Sequence, residues 1–333
     1  MQYRRWIWCV LFVVLLCILY LHHTRFCLTI ERFSTTAKEI DTFFVHPCSG
    51  YLLSKHIVCS KKEAKKYKSR FPHVAKQNEL FSTTSLFHRI QNNDVVYVHT
   101  DPQMIRYFLE TIVPYLKKQK IKVILFTGKE TLPQVRRTDL SDRLLECDEI
   151  RLWISQNPIY DNHPKYFAFP YGLRSNRNML DIYRTYYRRS NVSKTIFLSN
   201  MAQLAHQHLS KDHIRNKHKE LFHKDKLTIE DYMDTLHRSK FTVSTAGDRD
   251  DCYRHYESIL MGCIPVTNIR KPLYEQIFGD NMVFMSDDEL VSCVKRVREC
   301  ELTYRKPNQD IVLLSYWKAQ VERRLGSTVT LDW

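Results

Sequence analysis

Glycine is scarce in this chain. Its 333 residues include seven glycines and eleven prolines, which excludes collagen-like chains, glycine-rich linkers and most disordered classes. The seven glycines never fall two or five residues apart, so the sequence contains no dinucleotide fingerprint, no kinase glycine-rich loop and no P-loop. The common phosphate-binding loops that depend on glycine are therefore excluded.

One long apolar run stands near the N-terminus. Trp6–Leu21 consists of sixteen consecutive apolar or aromatic residues, enough for a helix of about 24 Å against a hydrocarbon core of about 30 Å. Arg4 and Arg5 precede the run, and no small-residue cleavage site follows it. We therefore predict an uncleaved signal anchor rather than a cleaved signal peptide.

This anchor sets the expected topology of the chain. We predict a cytosolic tail at residues 1–5, a transmembrane helix at 6–21 and a stem at 22–45, followed by a lumenal body. Because the span is short, it suits the thinner membranes of the early secretory pathway. The expected protein is a single-pass type II membrane protein of the Golgi or the endoplasmic reticulum.

Cysteine usage agrees with an oxidising lumen. Cys48 and Cys59 are close enough in sequence to propose a disulfide, and so are Cys293 and Cys300. Asn191 begins the single N-x-S/T sequon of the chain. It is an expected glycosylation site if the body is lumenal.

Strand-like apolar runs alternate with amphipathic stretches in the body, which is typical of an α/β fold. We predict strands at 94–99, 122–126, 149–154, 194–199, 241–244, 264–267 and 282–285. A capping box, Ser286–Glu289, opens the helix after the last of these. We expect an N-terminal Rossmann-like domain at 46–180, a C-terminal one at 190–305 and a C-terminal helix at 306–333.

The stretch from Ser239 to Val266 is the most informative about function. It consists of a strand, a polar loop that contains Gly247, a helix, and a second strand that begins after Gly262. A loop that leads into a helix N-terminus presents unpaired backbone amides to an anion. A diphosphate could therefore bind there without a P-loop.

Arg254 and Glu257 stand three residues apart on this helix, and hence on one face. Arg254 could donate charge-assisted hydrogen bonds to phosphate oxygens, and the Glu257 carboxylate could accept both hydroxyls of a ribose diol. Tyr253 could cover a base or pack inward. The alternative is a surface ion pair between Arg254 and Glu257, which would contribute only about 0.2–0.5 kcal/mol.

This stretch resembles the C-terminal signature of exostosin-like glycosyltransferases. The signature runs Ser-Lys-Phe, a glycine, then Arg-x-x-Glu-Ser-Ile and Gly-Cys-Ile-Pro-Val. The segment Asp251–Glu257 is most similar to the ribitol-5-phosphate xylosyltransferase branch. The clear resemblance covers residues 229–290, and a weaker one extends to Phe169–Gly172 and Ile196–Asn200.

The resemblance implies a GT-B-like fold, in which two Rossmann-like domains face each other across a cleft. It implies a hexosyl- or pentosyltransferase that uses a nucleoside-diphosphate-sugar, which we expect to be UDP-linked, and no other cofactor or metal. Arg254 would contact the phosphates and Glu257 the ribose. Retaining GT-B enzymes often carry a second glutamate eight residues after the first, and Pro265 stands there, which favours inversion.

The donor cleft should be lined by residues that follow strand ends. We expect Ser199, Asn200 and the loop Thr245–Gly247 to lie there. Inversion also needs a base that removes the proton of the acceptor hydroxyl.

Candidates for this base are His99 and Asp101, because they end the predicted strand at 94–99, at the edge where ligands of α/β folds bind. For Asp101 an N-cap before Pro102 is an equal alternative.

Three other hypotheses compete with this one. Asp248 and Asp250 form a D-x-D pair of the kind that holds Mn²⁺ in metal-dependent GT-A glycosyltransferases, although Asp250 or Asp251 could instead cap the helix. The histidines between 206 and 223 share no helix face, so we expect no zinc site. A non-catalytic, membrane-anchored glycan-binding or scaffold protein remains the alternative from a different class.

The net charge fits anionic partners. Lys and Arg number 51 against 36 Asp and Glu, a formal charge of +15, and nucleotide-sugars and many glycan acceptors are negative. The densest basic run, Lys61–Arg70, is typical of a solvated helix face, so we expect a glycan or glycoprotein acceptor and no nucleic acid. The sequence leaves the donor sugar, the linkage and the oligomeric state open.

Overall fold

Two parallel β-sheets organise the described part of the chain. The structure is a computed structural model that describes residues 42–71, 79–81, 87–130, 135–187, 192–200, 218, 227–247, 249–326, 329 and 331. The predicted α/β class is confirmed, because helices alternate with the strands of both sheets.

The predicted membrane anchor lies outside the described residues, together with most of the stem and the Asn191 sequon residue. Within the described ranges, no helix is both long enough and apolar enough to cross a membrane. The anchor, the type II topology and the glycosylation site stay predictions, and so do the domain boundaries.

The first sheet contains six parallel strands: β1 (His56–Val58), β2 (Glu79–Phe81), β3 (Val95–His99), β4 (Val123–Gly128), β5 (Ile150–Gln156) and β6 (Tyr166–Phe169). Their spatial order is β2-β1-β3-β4-β5-β6. β3 and β4 are buried along their whole length, as expected for a parallel sheet with both faces covered. Tyr97, Phe126 and Trp153 are among the largest fully buried side chains.

Helices accompany this sheet: α1 (Ser49–Leu53), α2 (Lys61–Arg70), α3 (Pro102–Tyr107), α4 (Val113–Gln119), α5 (Asp139–Glu146) and α6 (Arg177–Tyr187). The basic run predicted as a solvated face is α2, in which only Ala64 and Tyr67 are buried. A π-helical turn, Phe108–Ile112, joins α3 to α4, and Pro114 lies in the first turn of α4.

The second sheet contains four parallel strands: β7 (Ile196–Ser199), β8 (Ser239–Val243), β9 (Ile264–Thr267) and β10 (Val283–Phe284). Their spatial order is β10-β9-β8-β7. The accompanying helices are α7 (Ile229–Arg238), α8 (Tyr253–Leu260), α9 (Lys271–Phe278) and α10 (Asp287–Lys295). The apolar core of this sheet includes Phe241, Val243, Ile264, Val266 and Leu290.

Two local signals in the sequence are confirmed in this half. Gly262 ends α8 with a φ of +66°, a left-handed conformation that glycine adopts without strain. Ser286 and Glu289 form the capping box of α10, in which the Ser286 backbone N–H donates to the Glu289 carboxylate at 2.7 Å.

One of the two proposed disulfides is present. Cys293 and Cys300 are joined, with their Cα atoms 4.9 Å apart. Cys48 and Cys59 are both buried free thiols, so that predicted pair is wrong. Cys48 precedes α1 and Cys59 follows β1, and a short sequence separation does not bring the two side chains within bonding distance.

The end of the chain returns to the first sheet. Trp317, on α11 (Leu314–Leu325), packs against Phe169 of β6 with a ring separation of 5.9 Å. Just before α11, the Val312 carbonyl accepts a hydrogen bond from the Val45 backbone N–H at 2.9 Å. The described residues of both halves belong to one compact unit.

Candidate functional site

The carboxyl edge of the second sheet carries the predicted donor loop. Ser199 ends β7 and Asn200 follows it, and Thr245–Gly247 follow β8, which is the neighbour of β7 in the sheet. Ser199 and Thr245 are buried, whereas Asn200 and Gly247 are partly exposed. The structure therefore brings the two predicted segments to one edge.

Helix α8 begins directly after this loop. Its N-cap is Cys252, with no side-chain cap hydrogen bond, so the prediction that Asp250 or Asp251 caps the helix is wrong. Of the D-x-D pair, Asp250 is bound by Arg270, with an N–O distance of 3.1 Å, and Asp248 lies outside the described residues. Among the residues the structure describes, no three His, Cys, Asp or Glu side chains could together hold a metal ion.

His255 connects the loop to α8 and is fully buried. Its Nδ1 lies 2.7 Å from Ser244 Oγ, and its Nε2 lies 2.9 Å from the Asp250 carbonyl and 3.5 Å from Cys252 Sγ. Burial disfavours the Cys252 thiolate, but the neighbouring His255 overcomes this and lowers the pKa of the thiol to about 7. The sequence analysis missed this pair, which the Cys-x-x-His spacing at the helix start could have indicated.

Arg254 stands in the first turn of α8 and is half-buried. Its Nη1 atom is shielded from solvent and has no hydrogen-bond partner among the described residues. A buried donor without an acceptor costs about 1–3 kcal/mol. This position is therefore one at which an added anion would be stabilising.

Glu257 points into the protein rather than outward and is 1% exposed. Its Oε1 accepts from the Tyr183 hydroxyl at 2.5 Å and lies 3.3 Å from Arg174 Nε, and its Oε2 accepts from the Tyr232 hydroxyl at 2.8 Å. Burial, and then the Glu257 charge, raise the pKa of both tyrosines well above the ordinary value, which keeps them as donors. Sequence reasoning missed these three partners because they lie far from Glu257 along the chain.

The ribose role of Glu257 stays a prediction. The carboxylate already accepts hydrogen bonds on both oxygens. A ribose diol could therefore reach it only by displacing Tyr183 or Tyr232.

Tyr253 packs against the first half of the chain. Its ring lies 5.1 Å from that of Tyr171, and the two hydroxyls are 3.1 Å apart. The Arg249 guanidinium lies 4.0 Å above the Tyr171 ring and donates to the Glu130 carbonyl at 3.1 Å. Residues after β4 and β6 thus meet the loop before α8 directly.

The candidate bases lie at the carboxyl edge of the first sheet. His99 is 2% exposed, and burial lowers its pKa to about 4, so its imidazole is neutral at physiological pH. Asp101 caps α3, because its Oδ1 accepts from the Gln103 backbone N–H at 2.9 Å. The N-cap alternative for Asp101 is confirmed, and the role of either residue as the base stays a prediction.

A cavity of about 500 Å³ opens along α7. It is lined by Val192, Asp231, Asp234, Thr235, His237 and Arg238. The residues predicted to bind the donor are not among them.

The comparison with protein families agrees with the sequence signature. Residues 165–273, about a third of the chain, match the family described as RXYLT1 C-terminal domain. The match includes Arg174, the loop before α8 and the whole of that helix, and it points to glycosyltransferase activity. No curated protein matches the chain. Residues 165–273 are thus similar to this domain, and at the level of the domain the predicted likeness to exostosin-like glycosyltransferases is confirmed.

Proposed function

We propose that this protein is a membrane-anchored glycosyltransferase. It moves one sugar from a nucleoside-diphosphate-sugar, expected to be UDP-linked, to a glycan or glycoprotein acceptor. The observation that carries the proposal is Arg254, whose buried Nη1 has no acceptor among the described residues. This atom lies on the first turn of α8, inside the segment that matches the RXYLT1-type domain.

The chemistry of this position suits a departing diphosphate. As the bond between sugar and phosphate breaks, negative charge develops on the phosphate oxygens, and a fixed guanidinium stabilises that charge more than it stabilises the ground state. The N-terminal backbone amides of α8 add the positive end of the helix dipole. Leaving-group stabilisation is therefore the role proposed for Arg254.

The remaining proposed contacts with the donor lie at the carboxyl edge of the second sheet. Ser199, Asn200 and Thr245–Gly247 would line the cleft, and Tyr253 would cover the base or position the loop. We retain Glu257 as a ribose ligand on the condition that a ribose hydroxyl replaces one of its tyrosine donors.

The proposed transfer is inverting and metal-independent. Pro265 supports inversion, because retaining GT-B enzymes often carry a glutamate at that position. Arg254 supplies positive charge where a metal ion would otherwise be required. The base that removes the acceptor proton is proposed to be His99 or Asp101, which lie at the matching edge of the first sheet.

The proposed compartment is the lumen of the Golgi or the endoplasmic reticulum. The disulfide between Cys293 and Cys300 supports it, because such bonds persist in oxidising compartments. The apolar run Trp6–Leu21 would provide the anchor.

A donor screen with the full-length chain in detergent tests the function. UDP- and GDP-sugars are incubated with the protein, with and without EDTA, and donor hydrolysis and transfer are measured. Arg254→Ala should lower turnover by at least about 100-fold, because it removes leaving-group stabilisation. The control is Arg296→Ala, which removes an exposed arginine whose side-chain partners among the described residues are its near neighbours Glu299 and Ser292.

The outcomes of this screen distinguish the proposed function from its two alternatives. Near-normal transfer by Arg254→Ala would contradict the proposal, and loss of wild-type activity in EDTA would favour a metal-dependent enzyme. Binding of UDP or GDP without any turnover would favour the non-catalytic glycan-binding alternative.

A further inference from the structure

Arg174 is a second arginine beside Glu257, and it comes from the first half of the chain. Its backbone is fixed on both sides by buried residues. Leu173 is fully buried and donates from its N–H to the Val45 carbonyl at 2.9 Å, and Ser175 accepts from Arg70 at its hydroxyl and carbonyl oxygens. The position of Arg174 is therefore set by the fold rather than by its own side chain.

The side chain of Arg174 is only partly engaged. Its Nε lies 3.3 Å from Glu257 Oε1, and its guanidinium carbon lies 5.7 Å from the centre of the Tyr253 ring. The side chain is nevertheless 50% exposed. No described residue accepts a hydrogen bond from its two terminal nitrogens, which carry four of the five guanidinium N–H groups.

Positive charge exceeds negative charge around this cluster. Arg174 and Arg254 both act electrostatically on the Tyr232 hydroxyl, which itself donates to Glu257. Among the described residues, Glu257 is the only carboxylate that pairs with Arg174, and Arg254 pairs with none. Of the two guanidinium groups that act on Tyr232, only that of Arg174 is paired with a carboxylate, which leaves about one positive charge for an anion.

We propose that Arg174 is a second ligand of the donor diphosphate and that Glu257 holds it in place. This inference rests on the proposed function and extends it, because the first half of the chain then supplies part of the phosphate site. It replaces the conditional ribose role of Glu257 with a positioning role. Arg174 and Arg254 would approach the diphosphate from different elements, the segment after β6 and the start of α8. Glu257 would act as a positioning residue, which explains why its carboxylate is buried and accepts hydrogen bonds from two tyrosines.

A comparison of ligands with and without a ribose tests this arrangement. Binding of UDP and of inorganic pyrophosphate to the full-length chain is measured by calorimetry for wild type, Arg174→Ala, Glu257→Gln and the control Arg296→Ala. Losing one bidentate charge-assisted contact should weaken binding by about 10- to 100-fold. We expect Arg174→Ala to weaken UDP and pyrophosphate alike, and Glu257→Gln to weaken pyrophosphate as well, although pyrophosphate has no ribose.

Two further variants distinguish a loss of binding from a loss of folding. Arg174→Lys keeps a positive charge beside the buried carboxylate but loses the planar fork, so it should fold and still bind more weakly than wild type. The double variant with Arg174→Gln and Glu257→Gln removes both charges of the pair and should melt close to wild type while binding pyrophosphate poorly.

The outcomes separate this inference from the proposed function. If Arg254→Ala loses UDP while Arg174→Ala and Arg174→Lys bind it as wild type does, the inference fails and the function stands. If Glu257→Gln weakens UDP but leaves pyrophosphate unchanged, Glu257 binds the ribose directly and its positioning role is overturned. A wild-type chain that binds neither ligand would overturn both proposals.

Discussion

Asp251 offers a direct test of the electrostatics beneath the candidate site. Its carboxyl is fully buried, and its Oδ2 accepts from the Tyr171 backbone N–H at 3.0 Å and from the Tyr256 hydroxyl at 2.8 Å. Its Oδ1 has no partner among the described residues. Burial raises the pKa of this carboxyl from its ordinary 3.8 to about 6, although the nearby His255 and Arg249 act in the opposite direction.

The magnitude and sign follow from linkage. The pKa of the Asp251 carboxyl is higher in the folded state than in the unfolded state. Its contribution to the free energy of unfolding is therefore fully present below pH 3.8, and it is lost as the pH rises through about 6. Relative to a group that stays neutral, the titration of Asp251 therefore costs the folded state about 3 kcal/mol at pH 7.5 and about 1 kcal/mol at pH 4.5. Asp251→Asn keeps an acceptor for Tyr171 and Tyr256 and removes the charge.

We expect Asp251→Asn to stabilise the protein, and to do so more at neutral than at acid pH. Thermal melts at pH 7.5 and 4.5 measure this, with about 2–4 °C expected for each kcal/mol. Asp280→Asn, at an exposed aspartate, is the control and should change neither melt. A destabilised Asp251→Asn variant at pH 7.5, or an equal effect at both pH values, would refute the reasoning.

Two further predictions concern Cys252 and Gly172, which follow Asp251 and its partner Tyr171 in the sequence. Cys252 should be alkylated by iodoacetamide with a rate that rises through pH 7, at least about tenfold faster at pH 7 than Cys147. Cys147 is the matched control, because burial raises the pKa of its thiol to about 11, and peptide mass spectrometry that finds equal rates would contradict the Cys252–His255 pairing. Gly172→Ala should cost at least about 2 kcal/mol, measured by denaturant unfolding, because the glycine has a φ of +82° and a Cβ there would clash with the Val45 carbonyl. Gly279→Ala has positive φ but open space around it, so an equal cost in both variants would mean that the clash is unimportant.

Local signals predicted local structure well. The strand at 264–267 is found at the predicted bounds, because Gly262 stops the preceding helix and Pro265 prevents the helix from continuing. The capping box at Ser286 and the disulfide between Cys293 and Cys300 were also predictable, since each depends on residues less than ten apart. The fold class followed from the alternation of these elements.

The direction in which the site residues point was not predictable in the same way. Helical spacing puts Arg254 and Glu257 on one face of α8, but it does not reveal that this face meets Tyr183 and Arg174 from elsewhere in the chain. Those contacts form only when the segments after β6 fold against α8. A carboxylate predicted to face a ligand is for this reason surrounded by protein donors.

The return of the chain end to the first sheet affects how the protein can be divided. Trp317 packs against Phe169, and the Val45 backbone N–H donates to the Val312 carbonyl. A fragment cut between the two sheets would expose an aromatic surface and leave a backbone donor unpaired. The halves are thus poor candidates for separate expression, and a tag at the C-terminus should be spaced well away from α11.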